Sequence, residues 1–331
     1  ISVGTLPPLP FAESARSLVA YPYGCIEQTT SKAFPLVLLD DDTIDRLGIG
    51  TLKLPDQNGE ALPLDAARRA GLLDGAFTRI ASMQTDNGHF AMWPGDAEPV
   101  TGMTPYVVEM LLAARDAGYA IPENVLDKAL TRLNEDLLAG GNTQYQYDNY
   151  EHLRLAEMAH AGYVLARVGR APVGTVRALF DNEREKLIAP LPLVHLGAAL
   201  KLMGDETRGA QSVAEAFAKT WKRPDYLGDY GSELRDLGLM LAVAHEGGLS
   251  KPEYDARAYD LARELGGKAD WWLSTQEQIA ILRLGKALAG GAPRSFSASV
   301  AVGGHVEEST GRALVSRGFD PAQLAAGVRI T

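Results

Sequence analysis

Apolar residues recur at the spacing of an α-helix through most of the chain. The run Tyr106–Ala114 is a clear example, and the pair Ala117-Gly118 ends it. Similar amphipathic runs occupy residues 65–83, 123–138, 152–168, 172–188, 193–203, 206–221, 232–246, 252–265 and 274–289. Short Gly, Pro or Asn turns separate most of them, and several runs start behind a proline or a Ser/Asp cap. The pattern predicts an all-α fold.

The helical runs alternate with a rhythm of about 40 residues per helix pair, which is typical of stacked helical hairpins. About twelve helices of this kind can close into an α/α toroid or remain an open solenoid. The periodicity fits both arrangements equally well, so it leaves the closure of the ring open.

The two ends of the chain have a different pattern. Residues 1–5, 295–302 and 327–331 alternate as β-strands do. We therefore predict three parts: a β-type lead-in over residues 1–10, a helical domain over residues 11–291, and a β-type segment over residues 292–331. The two flanks are too short to make a β-sandwich alone.

The composition is ordinary for a soluble globular protein, with 46% hydrophobic and 22% charged residues in 331. A net charge of −10 argues against a nucleic acid or an anionic membrane as partner. No apolar run reaches the ~18 residues that a membrane span needs. The sequence opens at Ile1 without a signal peptide, which we interpret as a piece of a longer polypeptide.

The candidate chemistry centres on Cys25, the only cysteine in the chain. It follows a turn with Pro22 and Gly24, begins a helical stretch, and precedes Gln28 by three residues, so the two side chains can meet across one helical turn. The thiol can then attack the glutamine amide, expel ammonia and leave an internal thioester. Such an activated acyl group reacts once and does not turn over.

The residues around this pair resemble a known family. The run Tyr21–Ser31 contains Cys25-Ile26-Glu27-Gln28 and is similar to the Cys-x-Glu-Gln signature of the alpha-2-macroglobulin and complement superfamily, especially its bacterial members. Two further segments, Met83–Val108 and Trp272–Gln278, resemble a Gln-x-x-Asp-Gly-x-Phe…Trp…Thr-x-Tyr-Val motif and the start of the last core helix of the family's thioester domain. The resemblance covers roughly residues 1–290.

The resemblance implies a closed toroid of about six inner and six outer helices, inserted into a small β-domain. It also implies a single-use protease inhibitor rather than an enzyme, with no cofactor. After a protease cuts a bait region, one of its lysines would attack the thioester. The implied partners are target proteases and neighbouring β-domains of the same polypeptide. The implied location is the periplasm, with the full-length protein anchored to the inner membrane as a lipoprotein. A thioester also needs a compartment where glutathione does not consume it.

Twelve residues are site candidates. Cys25 and Gln28 would form the cross-link, and the residues associated with it are Gly24, Glu27, Tyr21 and Tyr23. The resemblance implies that Tyr21 shields the bond from water, while Glu27 could simply cap the helix. Candidate pocket-lining residues are His89, Phe90, Trp93, Tyr106, Tyr147 and Tyr150. For the first four, a core aromatic cluster is an equal alternative.

In hydroxyl-preferring complement proteins, a histidine upstream of the helix resembling residues 155–159 forms an acyl-imidazole. The corresponding stretch here, residues 142–150, contains no histidine, and His152 lies too close to that helix to match. This departure favours direct attack by amines. His160 is expected to be a packed core histidine.

Two other classes of function stay open from the residues alone. One is an α/α-toroid enzyme, acting on carbohydrate or lipid through a carboxylate pair or as a cysteine hydrolase through Cys25. The other is a helical binding scaffold in which Cys25 is inert. The sequence has no metal-ligand spacing and no phosphate-binding glycine loop.

Overall fold

The computed structural model describes residues 2–55, 59–100, 102–141, 149–266, 272–291, 296–302, 305–311, 314–316 and 320–330. The helices are α1 Phe11–Val19, α2 Ile26–Leu38, α3 Asp41–Arg46, α4 Ala66–Ser82, α5 Met103–Asp116, α6 Glu123–Ala139, α7 Tyr150–Arg167, α8 Val173–Ala178, α9 Leu191–Leu202, α10 Glu206–Ala218, α11 Glu233–Glu246, α12 Pro252–Asp255, α13 Arg257–Gly266, α14 Thr275–Gly291 and α15 Pro321–Ala325. The strands are β1 Ser2–Gly4, β2 Lys53–Pro55, β3 Ala61–Pro63, β4 Phe296–Val302, β5 His305–Gly311, β6 Leu314–Ser316 and β7 Val328–Ile330.

Within the described residues, six helices form a closed inner ring. In ring order they are α2, α5, α7, α9, α11 and α14; each contacts the next, and α14 returns to contact α2. Outside this ring pack α1, α4, α6, α8, α10 and α13. The predicted all-α fold and α/α toroid are therefore confirmed. The contact between α14 and α2 decides in favour of closure, which periodicity alone left open.

The pattern of buried residues along a helix differs between the inner ring and the outer layer. The inner helix α9 buries ten successive residues, Leu191–Leu200, because it has neighbours on every side. The outer helix α4 buries only one stripe, Arg69, Leu73, Phe77 and Ile80, at intervals of three or four residues. The strongly amphipathic runs of the sequence are thus the outer helices.

Two predicted runs are interrupted, and some elements were not predicted. The run 172–188 is α8 followed by a π-helical turn, Leu179–Glu183, and a 3-10 turn, Arg184–Lys186. The run 252–265 divides at Ala256 into α12 and α13. The short helices α1 and α3 and the β2–β3 hairpin are additional to the predicted runs.

The strands at the two ends of the chain meet each other. β1 pairs antiparallel with β6, with Val3 opposite Val315, while β4 pairs with both β5 and β7. The short β flanks expected from the alternating pattern are therefore present. The division of the chain at residues 10 and 291 stays a prediction, although α1 begins at Phe11 and α14 ends at Gly291.

Candidate functional site: the cysteine–glutamine turn

Cys25 and Gln28 face each other across the first turn of α2. Cys25 is the N-cap residue, and its Sγ accepts a hydrogen bond from the backbone N–H of Gln28 at 3.5 Å. In return, the backbone N–H of Cys25 donates to Oε1 of Gln28 at 3.3 Å. This reciprocal arrangement is a capping box in which a thiol and a carboxamide replace the usual hydroxyl and carboxylate. It brings the nucleophile and the amide together without any change in the helix.

The turn is held from outside by two further elements. Arg79 of α4 donates from Nε to the carbonyl oxygen of Gly24 at 2.7 Å. The backbone N–H of Ile26 donates to the carbonyl oxygen of Met92 at 3.1 Å, so the loop after α4 also contacts the start of α2. Both contacts are made by backbone atoms of the turn, so they fix the backbone conformation that presents Cys25 and Gln28.

The Cys25 thiol is buried, with 8% of the residue exposed. Burial raises the pKa of the Cys25 thiol, the N–H of Gln28 lowers it, and the neighbouring Glu27 carboxylate raises it. The net shift is upward, so burial outweighs the stabilisation of a thiolate that a helix N-terminus provides. A buried, protonated thiol is protected from oxidants and external electrophiles.

Glu27 does not face solvent and does not serve as the helix cap. It is buried, and its Oε1 accepts hydrogen bonds from Ser31 Oγ at 2.7 Å, Thr275 Oγ1 at 2.8 Å and Gln276 Nε2 at 2.8 Å. Two of the three donors belong to α14, so this side chain joins the first inner helix to the last.

The tyrosines of the site lie in three environments. Tyr106 is buried, packs against Phe34 with ring centroids 5.3 Å apart, and shares a hydrogen bond of 2.8 Å with Ser31. Burial, with the nearby Glu27 charge, raises the pKa of Tyr106 well above its usual range. Tyr21 is half-buried and meets the exposed Tyr23 ring edge-on at 5.8 Å, directly before the Cys25 turn.

The other pocket candidates lie in different environments. His89 is held by Thr104 at 2.9 Å from Nδ1 and by Asp136 at 3.1 Å from Nε2. Phe90 is fully buried, whereas Trp93, next to Met92, is 45% exposed and Tyr150, the first residue of α7, is 47% exposed. Tyr147 lies outside the described residues. The roles of these residues at the site stay predictions.

A funnel opens along the axis of the ring beside the turn. Residues from the N-terminal halves of five inner helices line it, so these helices point the same way; among them are Tyr106, Glu157, His195, Arg235 and Gln276. Burial raises the pKa of Glu157 to about 7, and Glu157 Oε2 has no hydrogen-bond partner among the described atoms. Since Tyr106 and Gln276 also contact the Cys25–Gln28 helix, the funnel and the turn share a wall.

Sequence reasoning missed the charged residues at the ring axis. Glu109 pairs with His160 at 3.0 Å and with Arg283 at 2.8 Å, and Arg283 also pairs with Glu246 at 2.7 Å. His160 stacks on His195 with ring centroids 4.3 Å apart, so it is both packed and hydrogen-bonded. A signal was present, because Glu109 and Arg283 each interrupt an otherwise apolar inner-helix run.

No group of three or more His, Cys, Asp or Glu side chains among the described residues is placed to hold a metal ion. No helix in the described ranges combines the length and apolar character of a membrane span.

A closed α/α toroid with a capped cysteine–glutamine turn at the start of its first inner helix is the arrangement that the resemblance to the alpha-2-macroglobulin family implied. The chain is 46% identical over 333 residues to the alpha-2-macroglobulin of Xylella fastidiosa, covering 99% of this chain and 20% of that protein. It therefore spans about a fifth of the length of that curated relative. No protein-family model matches the chain.

Solved structures agree with this assignment. Salmonella alpha-2-macroglobulin reacted with methylamine matches with a TM-score of 0.82 and 32% identity, over 100% of this chain and 20% of that one. Trypsin-activated alpha-2-macroglobulin from Escherichia coli matches with a TM-score of 0.76 and 31% identity, over 99% of this chain and 21% of that one. The chain belongs to the bacterial alpha-2-macroglobulin family, as its motifs indicated.

Proposed function

We propose that this chain is the reactive domain of a covalent protease inhibitor, in which Cys25 and Gln28 form an internal thioester. The observation that carries the proposal is the buried capping box, because it places a thiol and a carboxamide against each other in a fixed turn. The methylamine-reacted relative supports it, since a small amine is the nucleophile that such an acyl group accepts.

Formation of the bond uses atoms already in place. Sγ of Cys25 attacks Cδ of Gln28, the C–N bond breaks, and the thiol proton leaves with the nitrogen as ammonia. Negative charge develops on Oε1 of Gln28 during the attack. That atom already accepts the N–H of Cys25 at the positive end of α2, so the developing charge is stabilised without rearrangement.

Capture of a target uses the same electrophilic carbon, now with Cys25 as the leaving group. A lysine amine attacks Cδ, the C–S bond breaks, and an amide joins Gln28 to the protease while Cys25 takes the proton as a thiol. Each domain therefore acts once. Proteases are the proposed partners of the whole protein, after cleavage of a bait region that lies outside this chain; the trypsin-activated relative supports this class of target.

The chemistry also suggests where the protein works. A thioester exchanges with free thiols, so we propose that the full-length protein works in the periplasm. Its anchoring to the inner membrane, next to its own β-domains, is proposed from the family resemblance. Fractionation of the source cells checks this: the protein should appear with inner-membrane vesicles and be accessible to protease added to spheroplasts. Cytosolic recovery would contradict it.

The decisive experiment is intact-protein mass before and after methylamine, with Cys25→Ala as the control. The wild-type chain should be about 17 Da lighter than its sequence mass, gain about 31 Da with methylamine, and release one titratable thiol. Cys25→Ala should show neither change. A wild-type chain at full sequence mass with a titratable Cys25 would contradict the proposal. Catalytic turnover would instead favour a toroid enzyme.

A further inference from the structure

The segment Trp272–Gln278 has no part in the chemistry above, yet two of its residues reach the cysteine–glutamine turn. Thr275 Oγ1 and Gln276 Nε2 each donate to Oε1 of Glu27 at 2.8 Å across 248 and 249 residues of sequence. Ser31 Oγ donates to the same oxygen, and Tyr106 bonds to Ser31. We name these five residues, Glu27, Ser31, Tyr106, Thr275 and Gln276, the polar clasp.

The hydrogen bonds of the clasp all run toward Glu27. Ser31 has a single hydroxyl proton and donates it to Glu27. Tyr106 must then donate to Ser31, which agrees with the raised pKa that keeps its phenol protonated. All five side chains are buried, with at most 8% of any residue exposed.

The clasp acts on the residue between the two reacting partners. Glu27 lies directly before Gln28, so fixing its side chain fixes the rotation of the first turn of α2. Without its donors, the carboxylate would remain buried and unsatisfied, and the turn would swing outward to hydrate it. That movement would separate Sγ of Cys25 from Cδ of Gln28.

We infer that the polar clasp positions the Cys25–Gln28 pair for cyclisation, so that the thioester forms only after α14 has closed the ring onto α2. This inference rests on the proposed function. Thr275 and Gln276 are positioning residues, since they touch Glu27 and not the reacting atoms. The physical advantage is order: the acyl donor is made only once the surrounding domain can shelter it.

The test measures cyclisation of the 331-residue chain during cell-free synthesis. It compares a double variant of α14 with a matched control, and two substitutions at Glu27 with each other. Samples are quenched in acid denaturant, and intact mass gives the fraction that has lost ammonia at each time. Thr275→Val/Gln276→Met removes both α14 donors. Gln278→Met is the matched control, because Gln278 is buried on the same helix but donates to the carbonyl of Leu273. Thermal unfolding of each variant measures the structural cost separately.

We expect cyclisation in the double variant to be about tenfold to a hundredfold slower than in wild type, since a displacement of about 1 Å can cost about 10²-fold. Gln278→Met should cyclise at the wild-type rate even if it unfolds at as low a temperature as the double variant. Glu27→Gln keeps an acceptor oxygen for the same donors and should stay within about threefold of wild type. Glu27→Leu should cyclise as slowly as the double variant.

Two results would separate the failures. A wild-type chain that never loses ammonia overturns the proposed function itself. If the wild type cyclises and the double variant cyclises equally fast, the clasp is overturned and the thioester stands. The same conclusion follows if both the double variant and Gln278→Met slow only in proportion to their loss of thermal stability.

Discussion

At the scale of single residues, burial keeps His152 of the inner helix α7 uncharged. His152 is 1% exposed, and its Nδ1 accepts the backbone N–H of Ile188 at 3.2 Å. An accepting Nδ1 must be unprotonated. Burial lowers the pKa of His152 to about 4; Arg223 and Arg235 also lower it, while Asp229 raises it. This residue is therefore neutral in the folded chain at neutral pH.

The His152 shift predicts a loss of stability in acid. Between about pH 6.5 and pH 4 the unfolded chain binds a proton that the folded chain refuses, so the free energy of unfolding falls as pH falls. A shift from 6.5 to about 4 corresponds to at most about 3 kcal/mol. His152→Gln keeps an oxygen acceptor for Ile188 and should lose this dependence. Urea unfolding at pH 7 and pH 4.5 measures it.

The comparison between the two proteins is needed because Glu157 acts in the opposite direction. Its raised pKa makes the folded chain bind the extra proton below about pH 7, which favours folding in acid. This contribution is common to wild type and His152→Gln and cancels in the difference. Equal pH slopes in both proteins would contradict the role of His152.

Glu27 shows what the sequence could and could not predict at this scale. The spacing of Cys25 and Gln28 predicted their meeting, because three residues along a helix fix a geometry. The same local reasoning suggested that Glu27 caps the helix, whereas its donors lie on α14. No local pattern contains that information, since it depends on ring closure.

At the scale of helices, close packing of inner neighbours depends on small residues. Gly238 of α11 faces Ala280 of α14, and an added Cβ would lie 2.9 Å from the Ala280 Cβ and 3.3 Å from its carbonyl carbon. Backbone atoms cannot rotate away as the end of a side chain can. The two helices would have to separate.

Gly238→Ala should therefore destabilise the chain by about 1–3 kcal/mol, despite the better helix propensity of alanine. Gly75→Ala is the matched control, because Gly75 is on the outer helix α4 and a Cβ there would meet nothing within 4 Å. That change should stabilise by about 0.5–1 kcal/mol. Denaturant unfolding of both variants gives the two signs. A stabilised Gly238→Ala would mean that α11 and α14 are less closely packed.

The sequence predicted helices better than their interruptions. Caps are local, and Asp65 at α4 and Ser232 at α11 each accept the N–H three residues on, as their residue types suggest. The π-helical turn after α8 and the break at Ala256 follow no proline or glycine at the point of interruption. Both lie in the outer layer, whose fit to the inner ring a one-dimensional pattern does not encode.

At the scale of the whole molecule, a network of mostly buried charged side chains joins the ring across its axis. Arg283 of α14 contacts Glu109 of α5, Glu246 of α11 and the ring of Phe34 on α2, and Glu109 continues through His160 of α7 to His195 of α9. All six inner helices thus contribute one side chain. Although burial alone would raise it, Arg283 and His160 hold the pKa of Glu109 well below its usual range.

Removing one charged partner from this network should lower the free energy of unfolding more than replacing both partners by apolar residues. Arg283→Met leaves the Glu109 carboxylate buried with His160 only, and the loss of a buried partner typically costs about 3–5 kcal/mol. Glu109→Leu should cost less, because Arg283 keeps Glu246, whose side chain is 36% exposed. Glu109→Leu/Arg283→Met removes both buried charges and should recover most of the stability lost in Arg283→Met. Denaturant unfolding of the four proteins gives the coupling energy.

Acid provides an internal check on that cycle. In Arg283→Met the Glu109 carboxylate lacks its main opposing charge, so protonation relieves the cost, and the deficit relative to the double variant should shrink as pH falls from 7 to 4. Strictly additive single-variant effects, or a deficit independent of pH, would show that the charges are solvated. If the double variant recovers stability and the deficit shrinks in acid, ring closure is stabilised mainly by apolar packing. The axial charges then select the one closed arrangement in which none of them is left unpaired.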